Sequence, residues 1–133
     1  MHDAHASLRT PIKRARGLGS AKDGTGHFWL QRVSAVALIP LTVWFMVSLI
    51  THLIGADRAG VAQWLSHPLV ALAMAALIAA MFIHARLGIQ VIVEDYVHHE
   101  GKKIVALLLN NALILGFGGA SLFAIARLHF IGI

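Results

Sequence analysis

Cysteine is absent from these 133 residues, so none of them can ligate an iron–sulfur cluster through thiolates, form a disulfide or act as a thiol nucleophile. Charge is scarce too. Only 13% of the residues are Asp, Glu, Lys or Arg, against roughly a quarter in soluble domains. Acids are the rarer sign, six against eleven bases, for a net charge of +5. No nucleotide-binding glycine motif occurs, so a flavin site is not expected in this chain. A basic balance can serve nucleic acid, but these charges flank apolar runs. Topology and attraction to anionic lipid or an acidic partner explain them better, and nucleic acid is not an expected partner.

What is abundant is apolar residues, 58% of the chain. They fall into three blocks almost free of charge, each near the roughly 20 residues that a helix needs to cross the hydrocarbon core. The fold class this predicts is all-α and integral to a membrane, with spans at about 33–54, 67–93 and 104–126. Pro40 lies in the first span, where neighbouring helices can re-satisfy the freed carbonyl. Residues 55–66 read as a short loop with Asp57, Arg58 and an interfacial Trp64, and 94–103 as a charged connector. Gly116, Gly118, Gly119, Ala120 and Ser121 form a small-residue patch that lets helix backbones approach closely. Ahead of the first span, Gly17, Gly19, Ser20, Gly24 and Gly26 read as an irregular approach to the bilayer.

Basic residues set the orientation. Arg9, Lys13, Arg14, Arg16, Lys22 and Arg32 precede the first span, and Lys102 and Lys103 follow the second. The opposite side holds only Arg58 and Arg127. This predicts a cytoplasmic N-terminus and a periplasmic C-terminus in a bacterial inner membrane. The Arg-rich start has no apolar h-region, so it does not read as a secretory signal; a mitochondrial presequence is the lesser alternative.

Ionisable residues inside a span are costly and mark functional candidates. His84 is the foremost. It lies 12 residues before Tyr96, about 18 Å along a helix axis from the cytoplasmic end, and an imidazole at that depth suits axial ligation of haem iron. At about 100° per residue, Gly88 lies roughly 40° from its face, and Val91 and Asp95 about 20°. A glycine one turn away leaves room for a flat macrocycle. The alternative is a histidine hydrogen-bonded to a neighbouring helix, with Gly88 a packing position. With Arg32 and Tyr96 taken to mark the same interface, His52, 20 residues from Arg32, lies about 12 Å deeper than His84 by helical rise, too far to clamp the same iron, so a second ligand would come from another subunit. His52 and His67 read as polar residues of the outer interface. Asp95 and Tyr96 end the second span. Tyr96 is either an aromatic-belt anchor or, beside a carboxylate, a hydrogen-bond donor to a quinone carbonyl. Arg32 snorkels at the interface or meets haem propionates, and His27 sits just outside the span at propionate depth. Ser34 and Arg86 carry similar double readings, but Arg86 points about 160° from His84 and is the poorer haem contact.

The run His84-Ala-Arg-Leu-Gly88, continued by Gln90-Val-Ile-Val-Glu-Asp95-Tyr96-Val-His98, resembles the second helix of the hydrophobic membrane anchor subunit of succinate dehydrogenase, respiratory complex II. In that family a histidine precedes an Asp-Tyr pair by 11 and 12 residues, with a glycine four after it, and all three offsets hold here. His27-Phe-Trp-Leu-Gln-Arg32-Val-Ser34-Ala resembles the family's first helix, and the resemblance runs from Gly26 to the last residue.

The resemblance implies one membrane-anchor domain over 1–133, made of a cytoplasmic segment (1–31) and a three-helix region (32–133). It implies haem b, with His84 as one axial ligand and the other from a second, cytochrome-like anchor chain. Tyr96 would contact ubiquinone with Asp95 beside it, and Arg32 and His27 would lie near the propionates. Flavoprotein (FAD) and iron–sulfur subunits would complete a succinate:ubiquinone oxidoreductase, and no residue here would be catalytic by itself. A quinol:fumarate reductase anchor and a non-redox structural membrane subunit are the alternatives.

Overall fold

A computed structural model describes residues 24–131. The basic residues up to Lys22 and the glycine run at Gly17 and Gly19 lie outside the described residues. Helix α1 runs Gly24–Ser48 and passes into a π-helical turn at Leu49–Leu53. A short α2 (Arg58–Ser66) precedes two long helices, α3 (Pro68–Tyr96) and α4 (Glu100–Phe130). No strand occurs among the described residues. The expected three spans are there, as apolar helical stretches of 30, 29 and 31 residues.

Hydrocarbon offers the backbone no hydrogen-bond partner, so β-branched runs such as Val91-Ile-Val that suit a strand in water become helix here. All three helices outrun their apolar blocks. At about 1.5 Å per residue each is roughly 45 Å long, against a hydrocarbon core of about 30 Å. α1 starts nine residues before the expected span, so Gly24 and Gly26 are helical rather than irregular and His27 lies within the helix. The connector expected over 94–103 contracts to residues 97–99 between α3 and α4.

The expected loop at 55–66 is largely α2. Gly55, at φ +80°, makes the left-handed turn out of the π-helical segment. Asp57 then caps α2, its Oδ1 accepting from the Gly60 N–H at 2.8 Å. α2 lays Trp64 on Trp44 of α1 as a stacked pair with ring centroids 5.8 Å apart. It also inserts Leu65 into a small cluster with Ala71 and Ile125. On the far side, His129 Nδ1 lies 2.9 Å from the Leu65 carbonyl and donates to it, tying the end of α4 to α2.

α3 is the middle of the arrangement. α1 and α4 each pack along it, and among the described residues they do not pack on each other. The buried apolar set is small, while Val36, Ile39, Leu72, Leu115 and Phe123 stand exposed. That surface suits lipid and further helices, since a soluble protein rarely leaves such large apolar patches open.

Of the three glycines in the small-residue patch, only Gly118 meets another helix among the described residues. A Cβ built there would meet the Phe82 ring at 3.3 Å, whereas Gly116 and Gly119 face open space. Gly118→Val is therefore expected to destabilise the α3–α4 pairing by about 1–3 kcal/mol through overpacking. The readout is a lower thermal midpoint, and Gly118→Val with Phe82→Leu should cost less than the two single changes summed. A Gly118→Val protein of unchanged stability would show that the helices do not meet there.

Candidate functional site

The two polar residues in the middle of α3 face opposite neighbours. His84 turns to α1, where its Nδ1 lies 3.2 Å from Ser34 Oγ. Arg86 turns to α4, where its Nε donates to Asn111 Oδ1 at 2.8 Å. Their divergence follows from the helical angle, since two residues turn the chain by about 200°.

Contact between Ser34 and His84 fixes the relative depth of α1 and α3. Ser34 follows Arg32 by two residues, so Arg32 lies only about 3 Å along the axis from the His84 level. The expectation that Arg32 and Tyr96 share one interface is corrected accordingly. Tyr96 is about 18 Å from that level by the same rise, and Arg32 sits well inside it. His27, seven residues before Ser34, falls about 10 Å toward the Tyr96 end. The reckoning for His52 changes as well. Eighteen residues separate it from Ser34, so it lies about 27 Å beyond His84 rather than 12 Å, and sharing an iron with it is still less feasible. His52 is exposed in the π-helical turn, and His67 is exposed just before Pro68.

Between the His84 level and the Tyr96 end, α1 and α3 form the walls of an open cleft of about 290 Å³, lined by His27, Phe28, Gln31, Arg32, Leu87 and Val91. The Arg32 guanidinium lies 4.9 Å from the Phe28 ring centroid, a cation–π contact that holds it at the cleft. Gln31 Oε1 is buried there without a hydrogen-bond partner. Gly88 does not open onto empty space: a Cβ at its position would meet Gln31 Nε2 at 3.8 Å, an ordinary contact distance. The room expected beside His84 is thus partly filled by the Gln31 side chain.

His84 is half-buried. Its hydrogen bond to α1 is what the packing alternative called for, yet that bond uses only one ring nitrogen. An imidazole has two, and a ligating histidine ordinarily engages its second nitrogen in such a bond. The donor set therefore fits haem: an imidazole whose Nε2 has no hydrogen-bond partner among the described residues, on the side of α3 that meets α1, with Arg32 and His27 lining the neighbouring cleft.

Asp95 and Tyr96 are on the last turn of α3 and both are exposed, Tyr96 to 77%. Among the described residues the phenol is left largely uncovered. Near them Gln90 Nε2 donates to Glu94 Oε1 at 2.8 Å, and the His98 ring lies 3.1 Å from the Tyr96 carbonyl.

Sequence reasoning left two partnerships unmatched. Asn111 as the acceptor for Arg86 was within reach of a depth count: Arg86 precedes Tyr96 by ten residues and Asn111 follows Glu100 by eleven, so both lie about 15 Å from the same end. Asn110, which is buried and donates from Nδ2 to the Arg86 carbonyl at 3.1 Å, completes that cluster. The tether from His129 to Leu65 had no signal, because it depends on α2.

Fold and polar positions together define a helical protein with three helices able to span a membrane and a histidine midway along the second of them. The succinate dehydrogenase/fumarate reductase transmembrane subunit family model matches residues 6–118. The chain belongs to that family. It is 33% identical over 121 residues to the succinate dehydrogenase hydrophobic membrane anchor subunit of Paracoccus denitrificans, covering 90% of this chain and 91% of that one. It is 32% identical to the subunit of the same description from Rickettsia conorii, over 77% of this chain and 81% of the relative. To the succinate dehydrogenase membrane anchor subunit of Reclinomonas americana it is 30% identical, over 71% and 80%.

For the second polar cluster, Asn111→Leu is expected to cost about 1–3 kcal/mol by leaving the Arg86 donor without its acceptor. Arg86→Leu with Asn111→Leu should recover part of that loss in thermal unfolding of the purified protein. Strictly additive changes would show that the two side chains are not coupled.

Proposed function

We propose that this chain is a membrane anchor subunit of succinate:ubiquinone oxidoreductase, sited in a bacterial inner membrane with its N-terminus cytoplasmic. The observation that carries the reading is the uncommitted ring nitrogen of His84 at mid-helix, in a chain whose relatives are succinate dehydrogenase anchors. His84 Nε2 would be one axial ligand of haem b, and a second anchor chain would supply the other. Arg32 and His27, on the cleft between His84 and the cytoplasmic end, would hold the propionates by charge-assisted hydrogen bonds. Bound there, haem supplies a one-electron redox centre inside the bilayer.

Tyr96 and Asp95 form the proposed quinone contact. The phenolic O–H donates to a quinone carbonyl and polarises it, and the neighbouring carboxylate offers a proton route as two electrons and two protons convert ubiquinone to ubiquinol. Electrons reach this point from succinate through flavin and iron–sulfur subunits docked on the cytoplasmic face, whose FAD and clusters lie outside this chain. The exposure of Tyr96 supports this role, because a capping subunit and a quinone both need that side chain free. A quinol:fumarate reductase anchor would use the same residues in the opposite direction.

Two substitutions in the purified complex test the reading. His84→Ala should abolish the haem Soret band, and full haem content in that variant sinks the ligand assignment. Tyr96→Phe should lower succinate–quinone turnover by 10²–10⁴-fold if the phenol takes part in proton transfer, the usual range for such groups. Succinate oxidation by an artificial acceptor should stay intact. Unchanged quinone turnover rejects the role of Tyr96.

A further inference from the structure

The hydroxyl of Ser34 lies between two groups. Its Oγ is 3.0 Å from the Gln31 carbonyl, within α1, and 3.2 Å from His84 Nδ1 on α3. A hydroxyl has one hydrogen to give and lone pairs to accept with, and a carbonyl can only accept. Giving the hydrogen to Gln31 leaves the Ser34 oxygen as an acceptor aimed at Nδ1. Ser34 is buried, 5% exposed, so water does not readily take its place.

We propose that Ser34 is the positioning residue of His84: it accepts the Nδ1–H, fixes the ring's orientation and tautomer, and so presents Nε2 to iron. This rests on the reading of His84 as an axial ligand. A neutral imidazole bound to metal through Nε2 keeps its one proton on Nδ1, and within hydrocarbon that N–H needs an acceptor from the protein. Ser34 Oγ is the partner present. Accepting that hydrogen bond would also enrich Nε2 in electron density, stabilising the ferric state and lowering the haem potential. The bond spans α1 and α3, so the same hydroxyl sets how deeply the two cleft walls stand against each other.

The test uses the purified complex of all subunits, with haem content, haem midpoint potential and haem release to apomyoglobin as readouts. Ser34→Ala should release haem about 10–100-fold faster, the usual cost of losing a partner behind a metal-bound histidine, and shift the midpoint upward. Ser34→Thr, whose Oγ1 can also bond a carbonyl three or four residues back, should restore both. Wild-type release and potential in Ser34→Ala, alongside loss of haem in His84→Ala, would overturn the positioning role while leaving ligation standing. Full haem in His84→Ala would fail the ligation reading and this inference together. If Ser34→Ala does not assemble, Ser34→Cys retains the shape with a weaker acceptor. An upward potential shift in that variant supports the proposal, and an unchanged potential overturns it.

Discussion

Hydrocarbon cannot hydrogen-bond, and that constraint organises the protein from backbone to site. It makes helices of the apolar blocks, since only a helix satisfies its own N–H and C=O groups. It then requires each polar side chain within a span to find a partner on another helix or near the surface. α3 carries two such residues in its middle, and the two are met on opposite sides: His84 by Ser34 of α1, Arg86 by Asn111 of α4. These polar pairs do what a hydrophobic core does in water. They set rotation and depth between helices whose apolar surfaces would pack nearly as well in another register.

Much of this was legible in the sequence, and what was missed has physical reasons. The three spans, the central place of His84 and the divergence of Arg86 follow from hydropathy and the 100° rotation per residue. Helix ends were misjudged because hydropathy measures where apolar residues stop, whereas a helix continues as long as capping and solvent allow. Gly24 and Gly26 continue α1 although glycine weakens helices in water, and His27 and Arg32 therefore sit on a regular scaffold. Reckoning depth from Arg32 as an interface marker failed for a related reason. A positive residue with a long side chain can start well inside the helix and reach outward, so it is a poor ruler. The Ser34–His84 contact is a better one.

α2 was overlooked for a different reason. Its signals were present: Asp57 at the cap, then Val61, Trp64 and Leu65 at helical spacing. Nine residues with a glycine at position 60 are too few to show a convincing period, and helix propensity alone would not hold such a segment. Tertiary contacts do, through the Trp44–Trp64 stack and the bond from His129. Long-range partners of this sort are invisible to any reading confined to neighbours in sequence.

The distribution of packing bears on what the α1–α3 seam is for. At the end that carries α2 the chain closes on itself, with Leu65, Ala71 and Ile125 buried together across α2, α3 and α4 and Trp64 stacked on Trp44 of α1. Toward the other end the seam between α1 and α3 opens into the cleft beside Arg32, and a buried acceptor on Gln31 goes unmet. A polypeptide that can seal one end of a helix pair need not leave the other ajar unless something else fills it. Under the haem reading the filling is a cofactor and a second chain. Binding to the folded form alone would then add stability by mass action, about 2.7 kcal/mol when free ligand is at a hundred times its Kd. The Trp44–Trp64 stack and the Leu65 cluster tie α1, α3 and α4 to α2 at the end away from the cleft, and Ser34 and His84 meet between that end and the cleft.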